Sequence, residues 1–73
     1  MIVFEKGHMI KLQDDTPEYW CICECDFSQT EYIMRNESLV FLEKVHPDRW
    51  VSRALFRDKI VLIDPRVFVS CLA

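Results

Sequence analysis

The chain has 73 residues, a net charge of −3 and nine aromatic residues, and 51% of its residues are hydrophobic. Disordered chains have few aromatic residues and high net charge, so we expect a folded protein, and this length allows one domain with one core, residues 1–73. The opening apolar run is too short for a secretory signal, and no stretch approaches the roughly 20 apolar residues of a membrane span. We therefore expect a cytoplasmic protein that does not contact a membrane.

Charge is unevenly distributed along the chain. Residues 1–37 contain eight acidic and three basic residues, whereas residues 38–73 contain four acidic and six basic ones. Surfaces of opposite sign can orient a partner, although the two halves of a small domain can also simply face each other. The net acidic balance argues against generic binding to DNA or RNA.

The first forty residues are predicted to form strands joined by turns. An apolar start and a second apolar run, residues 9–12, flank a turn at Gly7, and a polar turn follows. The run YWCICECDF, residues 19–27, alternates strictly, and residues 31–35 follow across SQT, which predicts a β-hairpin.

The segment 39–45 satisfies both the helical and the strand period. We favour a strand there, with a short helix capped by Ser38 as the alternative. Further on, residues 60–64 form a continuous apolar run that predicts a strand covered on both faces, and Pro65 separates it from a final apolar segment.

In the segment between these two predicted strands, the spacing of the apolar residues changes from that of a strand to that of a helix. Trp50, Val51, Ala54 and Leu55 fall at i, i+1, i+4 and i+5, as on one face of a helix. A proline suits a first helical turn, and an acidic residue there complements the helix dipole, as in the HPD that opens this segment. We predict a short helix over residues 47–58.

Four strands, a short helix and a further strand follow the order of small SH3-like barrels. The run KGHMIKL, residues 6–12, followed by YWCICEC, residues 19–25, resembles the first two strands of SH3-like and KOW-type modules, a resemblance that covers about half of the chain. The expected fold class is therefore α+β or mostly β: a small SH3-like barrel, or an antiparallel sheet, of about five strands with one short helix. Such barrels serve nucleic-acid binding, peptide binding and inhibition alike, so the fold does not define a function.

Three cysteines share one face of the predicted strand at residues 19–27. On an extended strand Cys21, Cys23 and Cys25 are about 6.6 to 6.8 Å apart. Tetrahedral zinc requires sulfur atoms roughly 3.8 Å apart, so these three cannot converge on one ion from a straight strand. We favour core packing, because free cysteine behaves as a small, often buried hydrophobe.

Two alternatives for the cysteines stay open, a metal site and a disulfide. The metal site would combine Cys21, Cys23 and Cys71 with His8 or His46, provided that the last strand lies beside the cysteine-rich one. A catalytic thiolate requires an electropositive setting, but Glu18, Glu24 and Asp26 surround these thiols and raise their pKa. No phosphate loop, metal-binding helix or serine elbow is present, so we expect a protein that is not an enzyme and has no cofactor.

Two surfaces are candidates for binding a partner. Arg49, Arg53 and Arg57 recur every four residues and form one stripe on the predicted helix, beside Trp50 and Phe56. Arginine and aromatic residues are enriched at protein–protein hot spots, whereas the alternative is a solvated face whose arginines pair with the acidic first half. The second surface is an acidic patch with neighbouring aromatic residues: Asp14, Asp15, Glu18, Tyr19, Trp20, Glu24 and Asp26.

These features predict a small, monomeric, non-enzymatic regulator that occludes or bridges a surface on a larger host or cellular protein complex. In size and general character the chain resembles the small regulators that bacteriophages encode to inhibit host machinery such as RNA polymerase. The alternatives are an SH3-like nucleic-acid-binding module and a metal-binding module that uses the cysteines.

Overall fold

A computed structural model describes residues 4–45 and 51–71 of the chain. Within these ranges the regular structure consists of seven strands and one turn of 3-10 helix at Pro65–Val67. The strands are β1 (Met9–Leu12), β2 (Glu18–Cys23), β3 (Thr30–Met34), β4 (Ser38–Lys44), β5 (Ser52–Phe56), β6 (Lys59–Ile63) and β7 (Phe68–Ser70).

All seven strands belong to one antiparallel sheet with the order β3-β2-β6-β5-β4-β1-β7. The sheet curls into a half-barrel, so the expectation of a mostly β fold of barrel-like shape is confirmed at that level. The predicted strand at 39–45 is confirmed as β4, and the predicted hairpin is confirmed by the pairing of β2 with β3. In the described ranges no helix has the length and apolar character needed to cross a membrane.

The predicted helix over residues 47–58 is wrong where the structure describes it, and about five strands is an undercount. Residues 47–50 lie outside the described residues, but Ser52–Phe56 is strand β5, hydrogen-bonded to β4 on one side and β6 on the other. Ser52, Ala54 and Phe56 are buried while Leu55 is exposed, which is the period of two that defines a strand. Pairing with two neighbouring strands therefore determines the conformation of this segment, although its apolar residues have helical spacing.

A tight turn joins β5 to β6. Phe56 pairs with Lys59, and the two residues between them have positive φ angles, 50° at Arg57 and 64° at Asp58. Positive φ at both central residues defines a type I′ turn, whose twist matches that of the flanking strands. The usual glycine or asparagine is missing at both positions, so the sequence carries no hairpin signal here.

The core lies on the inner face of the curled sheet. Every strand contributes buried apolar residues, and the fully buried ones include Ile10, Leu12, Ile33, Leu39, Val61 and Phe68. The expected core packing of cysteine is confirmed for Cys21 and Cys23 of β2, whereas Cys25 lies beyond the end of β2 and is exposed.

The segment after β6 closes one end of this core. The ring of Tyr19 on β2 meets Phe68 on β7 edge to face, with centroids 5.6 Å apart. The backbone N–H of Gln13 donates to the carbonyl of Val67 at 2.9 Å, which ties the 3-10 turn to the end of β1. Along this segment the chain passes from β6 to the edge of the sheet, where β7 pairs with β1.

Candidate functional site

The outer face of the sheet carries a continuous group of apolar side chains. Register places Met9 beside Val40, Val40 beside Leu55 and Leu55 beside Ile60, in one row across four strands. Directly paired residues of antiparallel strands point to the same face, so these side chains are neighbours. A second row pairs Ile22 with Leu62. Trp20 lies two residues before Ile22 on the same face of β2. We call these residues together the outer apolar patch: Met9, Trp20, Ile22, Val40, Leu55, Ile60 and Leu62.

This patch is exposed to an unusual degree for large apolar residues. Five of its members are between 40% and 62% accessible, with Trp20 the most exposed. Antiparallel sheets commonly have one face packed and one solvated, with polar residues on the solvated side. Here both faces are largely apolar, although only the inner one is covered by other described residues.

A group of charges lies beside the two apolar rows of the patch. Arg53 lies on the outer face of β5 between Leu62 and Glu43. Its guanidinium donates to the carboxylate of Glu24 and, at 3.0 Å, to that of Glu43. The hydrogen bond to Glu24 is the main cause of a raised Arg53 pKa. This group therefore carries two negative charges and one positive charge.

The predicted arginine stripe does not form within the described residues. Arg49 and Trp50 lie outside them, and Phe56 is buried in the core. Arg53 and Arg57 are separated by the change from strand to turn. Each pairs instead with acidic residues of the chain, as Arg57 does with Glu37. The alternative of a solvated face predicts arginines that are paired in this way.

The acidic patch joins the outer apolar patch at β2. Glu18 accepts a hydrogen bond from the hydroxyl of Tyr32, which raises the pKa of that tyrosine. Two residues further on, Trp20 packs against the ring of Tyr32 with centroids 4.7 Å apart. Asp14 and Asp15 lie in the exposed turn before β2, where the carbonyl of Asp14 accepts a hydrogen bond from Arg35 at 2.6 Å.

A pocket opens where β2 and β6 separate. The two strands pair only at Ile22–Leu62 and Cys23–Val61. Beyond this point the hydroxyl of Tyr19 accepts the backbone N–H of Asp64 at 2.9 Å and bridges the gap. The opening has a volume of about 390 Å³, and we call it the fork pocket; it is lined by Tyr19, Ile22, Val51, Leu62, Ile63, Asp64 and Arg66.

An ion pair holds the charged side of the fork pocket. The side chain of Asp64 accepts hydrogen bonds from the backbone N–H of Arg66 at 2.9 Å and from its guanidinium at 2.8 to 3.2 Å. The hydrogen bond from the Arg66 side chain is the largest cause of a lowered Asp64 pKa. Asp64 is therefore ionised at neutral pH.

The cysteines do not form a metal-binding group among residues 4–45 and 51–71, and two of them are buried. Burial raises the pKa of Cys21 to about 11 and also raises that of Cys23, so both are protonated thiols at neutral pH. Cys71 is exposed next to β1, because β7 pairs with β1 and not with β2. Within these ranges no three His, Cys, Asp or Glu side chains are placed to hold a metal ion.

The fork pocket and most of the outer apolar patch are absent from the sequence-based candidates, which include only Trp20 of the patch. The available signal is the strict alternation of β2, which places Ile22 opposite the core cysteines and so predicts a second apolar face. Comparisons of the chain with protein-family models, with curated proteins and with solved structures gave no match, so the candidate site rests on the geometry of this chain.

Proposed function

We propose that this chain is a non-enzymatic protein-binding module that occludes or bridges a surface of a larger protein through its outer apolar patch. The observation that supports this proposal is the pair of apolar rows on the face of the sheet that no other described residue covers. Extended apolar patches are rare on monomeric proteins and often mark interaction surfaces. Burial of such side chains by a partner removes apolar area from water, and tryptophan is among the residues most enriched at hot spots.

The pairing of basic side chains within the chain favours a protein partner over a nucleic acid. Three basic side chains of β5, β6 and the turn between them, Arg53, Arg57 and Lys59, bind carboxylates of this chain. A phosphate backbone would have to displace these carboxylates, and the overall charge of −3 opposes its approach. The SH3-like nucleic-acid module stays a second candidate because the exposed Trp20–Tyr32 pair could stack on bases.

The narrower hypothesis is a phage-type inhibitor of a host complex such as RNA polymerase, acting in transcription. The size and general character of the chain support it. None of the contacts among the described residues bears on it. A protein that occludes a surface requires only a complementary face and no catalytic group, which is consistent with this hypothesis.

The test is affinity capture from bacterial lysate, followed by binding measurements with each purified candidate partner. The informative variant combines Leu55→Thr and Ile60→Thr, since threonine keeps strand propensity while it makes the centre of the patch polar. The matched control is Phe27→Thr, a change at an exposed apolar residue outside the patch. We expect the double variant to lose at least tenfold in affinity while the control stays within twofold.

Equal affinity of the folded double variant and the wild type for every captured protein would refute the patch as the binding surface. Capture that disappears after nuclease treatment, with affinity that falls steeply with salt, would replace the proposal with nucleic-acid binding.

A further inference from the structure

We propose that the fork pocket and its acidic surroundings bind a basic protein segment, with one large apolar side chain of that segment in the pocket and lysine or arginine residues beside it. This inference rests on the proposed function and names the kind of partner that the outer apolar patch accepts.

The shape of the pocket suits a single anchoring side chain. Its volume of about 390 Å³ is near the lower end of the roughly 300–1,000 Å³ typical of ligand pockets. Ile22 and Leu62 form its outer wall, and Val51 and Ile63 add further apolar surface. Hot-spot side chains are enriched in tryptophan, tyrosine and arginine, and they fill well-packed pockets on the partner.

The walls of the pocket are fixed before a partner arrives. The hydrogen bond from the Asp64 N–H holds the hydroxyl of Tyr19, and the packing of its ring on Phe68 holds the base of that side chain. The ion pair with Arg66 holds the side chain of Asp64. A pocket held in this way loses little conformational entropy when it binds, which favours affinity.

The charge around the pocket selects the partner. On the outer face of the sheet and in the turn after β6, the described residues near the pocket include four carboxylates, Glu18, Glu24, Glu43 and Asp64, and two guanidinium groups, Arg53 and Arg66. Each of these guanidinium groups already binds one or two of those carboxylates. The lysines of β4 and β6 pair with the buried residues Ser52 and Phe56 and so lie on the inner side of the sheet. The remaining negative charge attracts lysine and arginine, and the exposed ring of Trp20 offers a face for a cation.

The same charges oppose two other occupants. A second copy of the chain would bring another net negative face against this one, and like charges across an interface cost affinity. An acidic peptide or a nucleic acid meets the same repulsion. A basic segment with an apolar anchor complements both the charge and the shape of this region.

The test is selection of binders from a library of random twelve-residue peptides on the immobilised intact chain. We expect enrichment of sequences with at least two lysine or arginine residues near one large apolar residue. A synthetic peptide of the enriched sequence is then titrated against variants of the protein.

A comparison of Ile22→Ala with Met9→Ala distinguishes the contribution of the pocket to binding from that of the rest of the patch. Both residues belong to the outer apolar patch and are similarly exposed, 44% and 42%, but only Ile22 lines the pocket. We expect the dissociation constant to rise at least tenfold for Ile22→Ala and less than twofold for Met9→Ala. Glu18→Gln combined with Glu43→Gln should weaken binding at least threefold and reduce its dependence on salt.

Several outcomes would overturn the inference. Selected peptides that are acidic or uncharged would refute the charge argument, and equal losses for Ile22→Ala and Met9→Ala would refute the pocket. A dimer in sedimentation at working concentration that Ile22→Ala converts to a monomer would show that a second copy occupies this face. No enrichment over a blank surface would also refute it, while the Leu55→Thr, Ile60→Thr capture experiment tests the proposed function separately.

Discussion

The hydroxyl of Tyr19 should stabilise the fold through one hydrogen bond at the fork between β2 and β6. It accepts the backbone N–H of Asp64 at 2.9 Å, and Tyr19→Phe removes this acceptor while the ring keeps its packing on Phe68. A buried donor left without a partner costs about 1–3 kcal/mol. Because the fork pocket admits water, we expect the lower end, about 1 kcal/mol. For a domain of this size that corresponds to a decrease in Tm of roughly 4–8 °C.

Tyr32→Phe provides the matched control. The hydroxyl of Tyr32 also makes one hydrogen bond, to Glu18, but this bond is exposed on the surface. Surface substitutions of this kind usually change stability by less than about 0.5 kcal/mol. Urea and thermal unfolding followed by circular dichroism should therefore separate the two variants, and the Asp64 amide should exchange faster only in Tyr19→Phe. Equal stability of the two variants would refute the structural role of the Tyr19 hydroxyl.

Three further predictions concern the turn, the thiols and the response to acid. Asp58→Gly should raise the free energy of unfolding by about 0.5–1 kcal/mol, because glycine adopts the positive φ of 64° without strain; unchanged or lower stability in urea unfolding would contradict the turn assignment. A thiol reagent at pH 8 should label two cysteines quickly in the folded protein and the other two only on unfolding; the fast pair is Cys25 and Cys71 and the slow pair Cys21 and Cys23. Because the Asp64 pKa is lowered from 3.8 by its arginine partner, its stabilising effect should be complete well above pH 4 and be lost as the pH falls through the lowered value. Asp64→Asn should therefore be less stable at pH 7 and lose less stability below pH 4, and parallel curves for variant and wild type would exclude this linkage.

The strands that sequence predicts correctly are those whose inner residues are visibly apolar. In β2 and β4 the buried positions are cysteine, leucine or phenylalanine, so alternation is plain. In β5 two of the three buried positions are Ser52 and Ala54, and neither marks an inner face. The larger apolar residues of that segment fall at helical spacing, and the type I′ turn after it lacks glycine. The helix prediction therefore follows from residues whose burial is decided by partner strands far along the chain.

The site is less predictable than the fold because it depends on pairing between distant segments. The apolar run at residues 60–64 predicts burial on both faces, yet Ile60 is 40% exposed because nothing described covers the outer face. Glu18 and Trp20 become candidates from composition, since charge and aromatic character are visible in the sequence. The fork pocket is not, because it arises where β2 and β6 stop pairing. β2 and β6 are more than thirty residues apart in sequence. No local sequence pattern encodes the position at which two such distant strands stop pairing.

The position of β1 in the sheet has a consequence for how the chain can fold during synthesis. β1 lies between β4 and β7, and Leu12 pairs with Phe68 across most of the length of the chain. The meander β4-β5-β6 contains only contacts between neighbouring strands, so it can form early. β1, which is made before these strands, has an unpaired edge until residue 70 has left the ribosome. Translation that stops before that residue would release a chain with an open β1 edge, a template for pairing with another chain.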